Sequence, residues 1–292
     1  MRTALAHRNL RRSVRAFTVV IALGACLASG LASAAGAVCS ARSPAHRVAL
    51  VELYSSEGCS SCPPADHWLS QWKDSGAAQG IVPLALHVDY WNSLGWTDRF
   101  SEHRFTERQQ TLTGLAGGHT VYTPEIFVAG RELRDWSRPE SFQSRVGKLV
   151  AERAQANVVL QLTPQAKGAF DVDAQFASTP GQDARSLNGY LAVYENSLTS
   201  HVGGGENGGV TLHHERVVRQ WLGPVPLVGG SARIRRVLRV DEAAADADPN
   251  TKADTKSDTT AYPPASRFGV VAFVENDATG DVLQVAELAA CE

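Results

Sequence analysis

The sequence predicts an α/β amino-terminal domain followed by an antiparallel, β-rich, sandwich-like carboxy-terminal domain. Three observations carry this reading. From Arg47 to about Ala156, unbroken apolar runs alternate with helix-start signals. After Asn157 the hydrophobic period drops to two, and Gly- and Asp-containing turns separate the later strands. Strands that read as continuous apolar runs between helices belong to a sheet covered on both faces. The expected boundaries are 1–36 for a leader, 37–156 for the first domain and 157–292 for the second.

In chain order, "RVALVELYS" is a buried strand and "PPADHWLSQW" opens a helix, since proline suits a first turn where no N–H is needed. "GIVPLALHVDY" is a second buried strand, and "SEHRFTERQQTLTGLAG" is a polar helix ending at Gly117. "TPEIFVAG" is a strand turning at Gly130, and "PESFQSRVGKLVAERA" is a helix with Pro139 near its start. In "FDVDAQFA" the residues Phe170, Val172, Ala174 and Phe176 share one face, against Asp171, Asp173 and Gln175 on the other. "GYLAVYEN", "SARIRRVLRV", "FGVVAFVEN" and "VLQVAEL" continue the strands, the last two joined by the hairpin loop "DATGD". Residues 241–260 have no apolar period, so a disordered loop is expected over 241–262. Their aspartates lack the spacing of a calcium loop.

The head of the chain bears on compartment. Arg2, Arg8, Arg11, Arg12 and Arg15 precede an apolar stretch from Ala16 to about Ala32, and small residues follow. This pattern reads as a secretory signal cleaved near Ala34 to Ala37, too short and interrupted for a membrane span. "LGAC" leaves lipidation at Cys26 as an alternative. A periplasmic or secreted protein, with no membrane span after cleavage, is expected. The chain carries 28 basic and 30 acidic residues; removing the five leader arginines leaves 23 against 30, about −7. Such a balance offers no footprint for nucleic acid. Without Cys26, four cysteines remain: Cys39, Cys59, Cys62 and Cys291. They permit three pairings, and because chain ends often lie close together, a structural Cys39–Cys291 clasp with a Cys59–Cys62 pair is expected.

Cys59 and Cys62 stand where a strand gives way to a helix. There, free backbone N–H groups and the helix dipole stabilise a thiolate, the species that attacks a disulfide. The expectation is a solvent-reachable Cys59 at the helix mouth, with Cys62 nearly one turn further in to resolve a mixed disulfide. A structural disulfide or half of a zinc site are the alternatives, the latter lacking a second nearby cysteine pair. His87, at the end of the second strand, is a proton shuttle, a third ligand for copper or zinc with both thiolates, or a hydrogen-bonded structural histidine. His213 and His214 should point to opposite faces of a strand and so make a poor chelating pair. The Gly-rich "GGGENGG" before them reads as a tight loop packed near the first domain.

Strand, C-x-x-C, helix, strand, helix, then Thr-Pro before a short strand and Gly together resemble the thioredoxin fold. More narrowly, "ELYSSEGCSSCPPAD", "HVDYWNSLGW", "FTERQ", "VYTPEIFVAG" and "GENGGVTLHHERVVR" resemble a bacterial family of secreted thioredoxin-like proteins catalogued as a domain of unknown function. The resemblance implies a thioredoxin-like first domain and an exported location. It implies a cis Pro124 lying against the cysteines, with Thr123 and Tyr122 meeting an extended substrate; an ordinary trans proline at a strand start is the other reading of Pro124. It also implies a buried acid beneath the cysteines, for which Glu52 is the candidate; an ion pair with arginine or an exposed edge is the other reading of that residue.

The expected function is thiol–disulfide exchange with protein or small-molecule thiols by Cys59, Cys62, Pro124, Glu52 and His87, with no cofactor and no resident metal. Copper or zinc handling through Cys59, Cys62 and His87, or an interaction protein with a structural disulfide, are the alternatives.

Overall fold

A computed structural model of the chain describes residues 38–165, 169–239 and 267–291. The expected leader, Cys26 and the 241–262 loop lie outside the described residues. The first half contains β1 (Cys39–Arg42), β2 (Ala49–Ser55), α1 (Pro63–Ser70), β3 (Ile81–His87), α2 (His103–Leu115), β4 (Glu125–Val128), β5 (Arg131–Glu132) and α3 (Pro139–Ala151). Then come β6 (Ala156–Pro164), β7 (Ala169–Ser178), β8 (Leu187–Glu195), β9 (Leu198–His201) and β10 (Thr211–His214). β11 (Val217–Pro226), β12 (Ser231–Arg239), β13 (Phe268–Asn276) and β14 (Asp281–Ala289) complete the described elements.

The protein is α/β with strands predominating: three α-helices accompany sheets of eight, four and two strands among the described residues. β2 and β3 run parallel, in register from Ala49↔Ile81 to Ser55↔His87, and every residue of both is buried. β4 pairs antiparallel to β2. In the second half, β7 alternates as its sequence requires, with Phe170, Val172, Ala174 and Phe176 inside. The β13–β14 hairpin forms where "DATGD" predicts it.

Where the sequence suggests a division at residue 156, the large sheet instead runs straight across, in the order β14-β13-β8-β11-β3-β2-β4-β5. The joint is β11, which pairs antiparallel with β8 and parallel with β3 through Val217↔Ala85. The sandwich is therefore made by β1-β6-β7-β12 lying over the distal part of a sheet that the two halves share. Two apolar cores result: one around β2, β3, α1 and α2, the other between β6, β7, β8 and β13. Close backbone approach seals the joint. A Cβ on Gly130 would fall 1.6 Å from the carbonyl oxygen of Gly280 in the β13–β14 turn, so only glycine fits there.

A buried salt bridge crosses the same joint. Arg108 of α2 donates from Nε to Glu52 Oε1 at 2.7 Å and from Nη2 to Glu275 Oε2 of β13 at 2.6 Å. Its guanidinium lies 4.9 Å from the Trp221 ring centre, with Tyr190 and Phe273 close by. Disulfides link Cys39 to Cys291, whose Cα atoms are 6.3 Å apart, and Cys59 to Cys62.

Candidate functional site

The parallel strands β2 and β3 end side by side at Ser55 and His87, and the site gathers at these carboxyl ends, where open α/β sheets form crevices. After Ser55 the chain turns through Ser56, Glu57 and Gly58 into the C-x-x-C segment. α1 begins at Pro63, with proline in its first turn and Cys62 as its N-cap. This corrects the expected placement: Cys59 lies in the turn ahead of the helix, where its N–H donates to Ser56 O at 3.1 Å, and Cys62 stands at the mouth rather than a turn inside.

A second correction concerns access. Cys59 and Cys62 are both 0% exposed, whereas a reachable Cys59 was expected. The Gly-rich segment before β10 binds the backbone around the pair. Asn207 Nδ2 donates to Glu57 O at 2.9 Å and Cys59 O at 3.0 Å. Glu206 Oε2 accepts from Ser60 N at 2.9 Å and Ser60 Oγ at 2.7 Å. The glycines are needed because this segment presses on the loop after β3: a Cβ on Gly204 would lie 2.4 Å from Gly95 O.

The Thr123–Pro124 peptide is cis and lies on the cysteine side of the sheet. Ser61 Oγ donates to Thr123 O at 3.4 Å, and Trp91 Nε1 donates to Thr123 Oγ1 at 2.8 Å. Tyr122 is partly exposed and donates to Glu132 at 2.5 Å. Glu52 is held elsewhere: it projects toward α2 and its carboxylate is bound by Arg108, which is the ion-pair reading of that residue. Ser55, with the opposite orientation on β2, reaches α1 through Asp66 Oδ2 at 3.2 Å.

Beneath α1 sits a buried cluster of acids and imidazoles. His87 Nδ1 lies 2.6 Å from Asp98 Oδ2. Asp98 also accepts from Glu57 N at 2.8 Å and Phe100 N at 2.9 Å, so its lone pairs are well occupied. His87 Nε2 is buried with no hydrogen-bond partner, as are both ring nitrogens of His214. The two imidazole centres are 5.1 Å apart and nearly perpendicular. Glu57 accepts from Trp96 Nε1 at 2.7 Å, and its other oxygen lies 3.3 Å from His214 Nε2 without hydrogen-bond geometry. Burial disfavours a charged His87, but the carboxylates of Asp98, Asp66 and Glu57 outweigh it and raise the imidazole to about 9. Burial pushes Asp66 up from the usual carboxylate range. Nearby, burial also raises Glu125, the residue after Pro124, to about 7 although Gln109 and Thr113 donate to it.

The sequence singled out His87 but passed over Asp66, Asp98, Glu57 and His214 as partners. Asp66 is the last residue of "CSSCPPAD" and His214 belongs to "LHHER", so both were in view as letters. His213 is exposed and His214 buried, as strand alternation demands. What the sequence withheld is that β10 folds back onto α1.

Fold and site together define an α/β protein with a covered C-x-x-C disulfide at a helix mouth and a buried His/carboxylate cluster below it. The chain belongs to the family described as "Protein of unknown function (DUF1223)", which it matches over residues 50–253. No curated protein matches it. A crystal structure of a protein from Agrobacterium tumefaciens is 22% identical, with 85% of this chain and 96% of that chain covered at a TM-score of 0.54. HBP35 of Porphyromonas gingivalis is 15% identical, with 85% of this chain and 76% of that chain covered at a TM-score of 0.60. These likenesses concern the fold alone.

Proposed function

We propose that this is an exported, thioredoxin-like thiol–disulfide oxidoreductase whose redox pair is Cys59 and Cys62. The observation that carries the reading is the closed disulfide at the start of α1 with the Thr123–Pro124 segment against it, Ser61 Oγ meeting Thr123 O at 3.4 Å. In the reaction, a partner thiolate attacks one sulfur of the pair and forms a mixed disulfide, expelling the other sulfur as thiolate. A second partner thiol then displaces the remaining sulfur. The partner leaves as a disulfide, two electrons pass to the pair, and Cys59 and Cys62 end as thiols. The backbone of Thr123, half-buried beside the pair, suits an extended peptide. Periplasmic or secreted placement is supported by two disulfides, which persist in oxidising compartments.

Because both sulfurs are covered, exchange requires the 203–209 segment to lift, breaking the contacts of Glu206 and Asn207. Purified protein should reduce insulin disulfides with dithiothreitol as electron source, or exchange with glutathione, and Cys59→Ser should abolish this. The complete burial of the pair favours a second reading, a structural staple. Wild-type protein that is inert in both assays, with a disulfide that resists reduction until the protein unfolds, would establish the staple and discard the enzyme.

A further inference from the structure

We propose that Asp66, His87 and His214 form a binding site for one divalent first-row transition-metal ion of the zinc class. One ligand atom from each lies within 4.8 Å of those of the other two. Metal–ligand bonds of about 2.0–2.2 Å would bring such atoms to about 3.4 Å apart in tetrahedral geometry. Closure on the ion would draw all three side chains inward, Asp66 being the least buried of them.

Four observations point to a cation rather than to an ordinary buried network. The first is the orphaned nitrogens: His87 Nε2 and both ring nitrogens of His214 are buried without a hydrogen-bond partner, and such groups are rare unless something binds them. The second is orientation. His87 turns Nδ1 toward Asp98, which is itself fixed by the Glu57 and Phe100 N–H groups, and this leaves Nε2 facing the cluster. Carboxylate–histidine pairs of this kind orient metal ligands. The third is charge. Asp66, Asp98 and Glu57 converge on two imidazoles, and among the described residues no lysine or arginine pairs with any of the three. Arg108, the arginine buried on the other face of β2, is committed to Glu52 and Glu275. The fourth is access: Asp66 and His214 also line a groove of about 390 Å³ between α1 and β10, bordered by Pro63, His67, Lys73 and Glu215.

Two imidazoles and one carboxylate make a nitrogen-rich, borderline donor set. It suits zinc, iron(II), cobalt or nickel and disfavours magnesium or calcium, which take oxygen ligands. Three protein ligands leave a position facing the groove, as in sites that bind a further small ligand. No sulfur is involved, so the site is distinct from one built on the C-x-x-C pair and should work with the disulfide closed.

The test uses the untagged, oxidised protein, in which Cys59 and Cys62 cannot ligate. Titration with Zn²⁺ by calorimetry should give one site per chain. Co²⁺ should give a d–d absorption band without a thiolate charge-transfer band. Asp66→Asn and His214→Ala should each weaken binding by at least about 100-fold, Asp98→Asn by about 10- to 100-fold through loss of orientation, while Cys59→Ser/Cys62→Ser should leave it unchanged. If His214→Ala fails to fold, Asp66→Asn decides, its circular dichroism serving as the folding control. The proposal is overturned if the oxidised protein takes up no stoichiometric Zn²⁺ or Co²⁺, if Asp66→Asn binds as wild type does, or if metal binds only after reduction with a thiolate band.

Discussion

Two buried acid clusters lie on opposite faces of the same strand, and they are built on different principles. On one face Glu52 meets Arg108, which also holds Glu275 and rests against the rings of Tyr190, Trp221 and Phe273. On the other face Ser55 leads to Asp66, His87, His214, Glu57 and Asp98, where imidazoles stand in place of arginine and several ring nitrogens have no partner. The first cluster is closed: its charges are permanently paired and it joins the two halves of the chain through α2, β2 and β13. The second is open: its charge depends on protons or a bound ion, and it faces a groove. A permanently charged, fork-shaped guanidinium makes structure, while buried imidazoles whose ring nitrogens have no partner leave room for chemistry.

The largest effect should come from breaking the closed cluster. Arg108→Met leaves Glu52 and Glu275 buried without a cation and should cost about 3–5 kcal/mol in denaturant unfolding. A loss below about 1 kcal/mol would remove the contrast between the two faces. Next, Zn²⁺ at about 100 times its dissociation constant should stabilise wild-type protein by about 2.7 kcal/mol and Asp66→Asn by at most about 0.4 kcal/mol. Glu52→Gln, on the other face, should respond to Zn²⁺ as wild type does, read as the metal-dependent shift in melting temperature.

Asn207→Ala removes a side chain that donates to both Glu57 O and Cys59 O, and should cost about 1–2 kcal/mol. The same substitution should speed reduction of the Cys59–Cys62 disulfide by dithiothreitol several-fold; an unchanged rate would mean that the 203–209 segment is not what restricts access.

A pH slope tests the contrast from a third position. Glu125 is an intermediate case, a buried acid with only amide and hydroxyl donors, raised from 4.5 to about 7 by burial. The folded state keeps a proton that the unfolded chain releases, so stability should fall as pH rises from about 4.5 to about 7 and then level off. Unfolding curves across this range should be flatter for Glu125→Gln than for wild type.

Much of the local structure was legible. Continuous apolar runs marked β2 and β3 because both are buried on both faces, and period-two alternation marked β7 because one face meets the second core. Pro63 and Pro139 marked helix starts because a first turn needs no N–H from them. Chain-end proximity led to the Cys39–Cys291 link. The cysteines were read a turn too deep in the helix, since Ser60 and Ser61 carry no signal separating a turn from a first helical residue. Their burial was illegible, because residues that bind the backbone around them, Glu206 and Asn207, lie almost 150 positions away.

The sequence by itself determined the three helices, most of the strands though not β1, β6, β9 or β11, the faces those elements bury, and that two thiols stand at a strand-to-helix turn, since these follow from periodicity and backbone chemistry within a few residues. Only the tertiary structure decided that one sheet spans both halves, that Glu52 belongs to Arg108, and that Asp66, His87 and His214 come together. Those outcomes rest on contacts between distant segments, where charge and shape are matched across the fold and leave no local pattern in the chain.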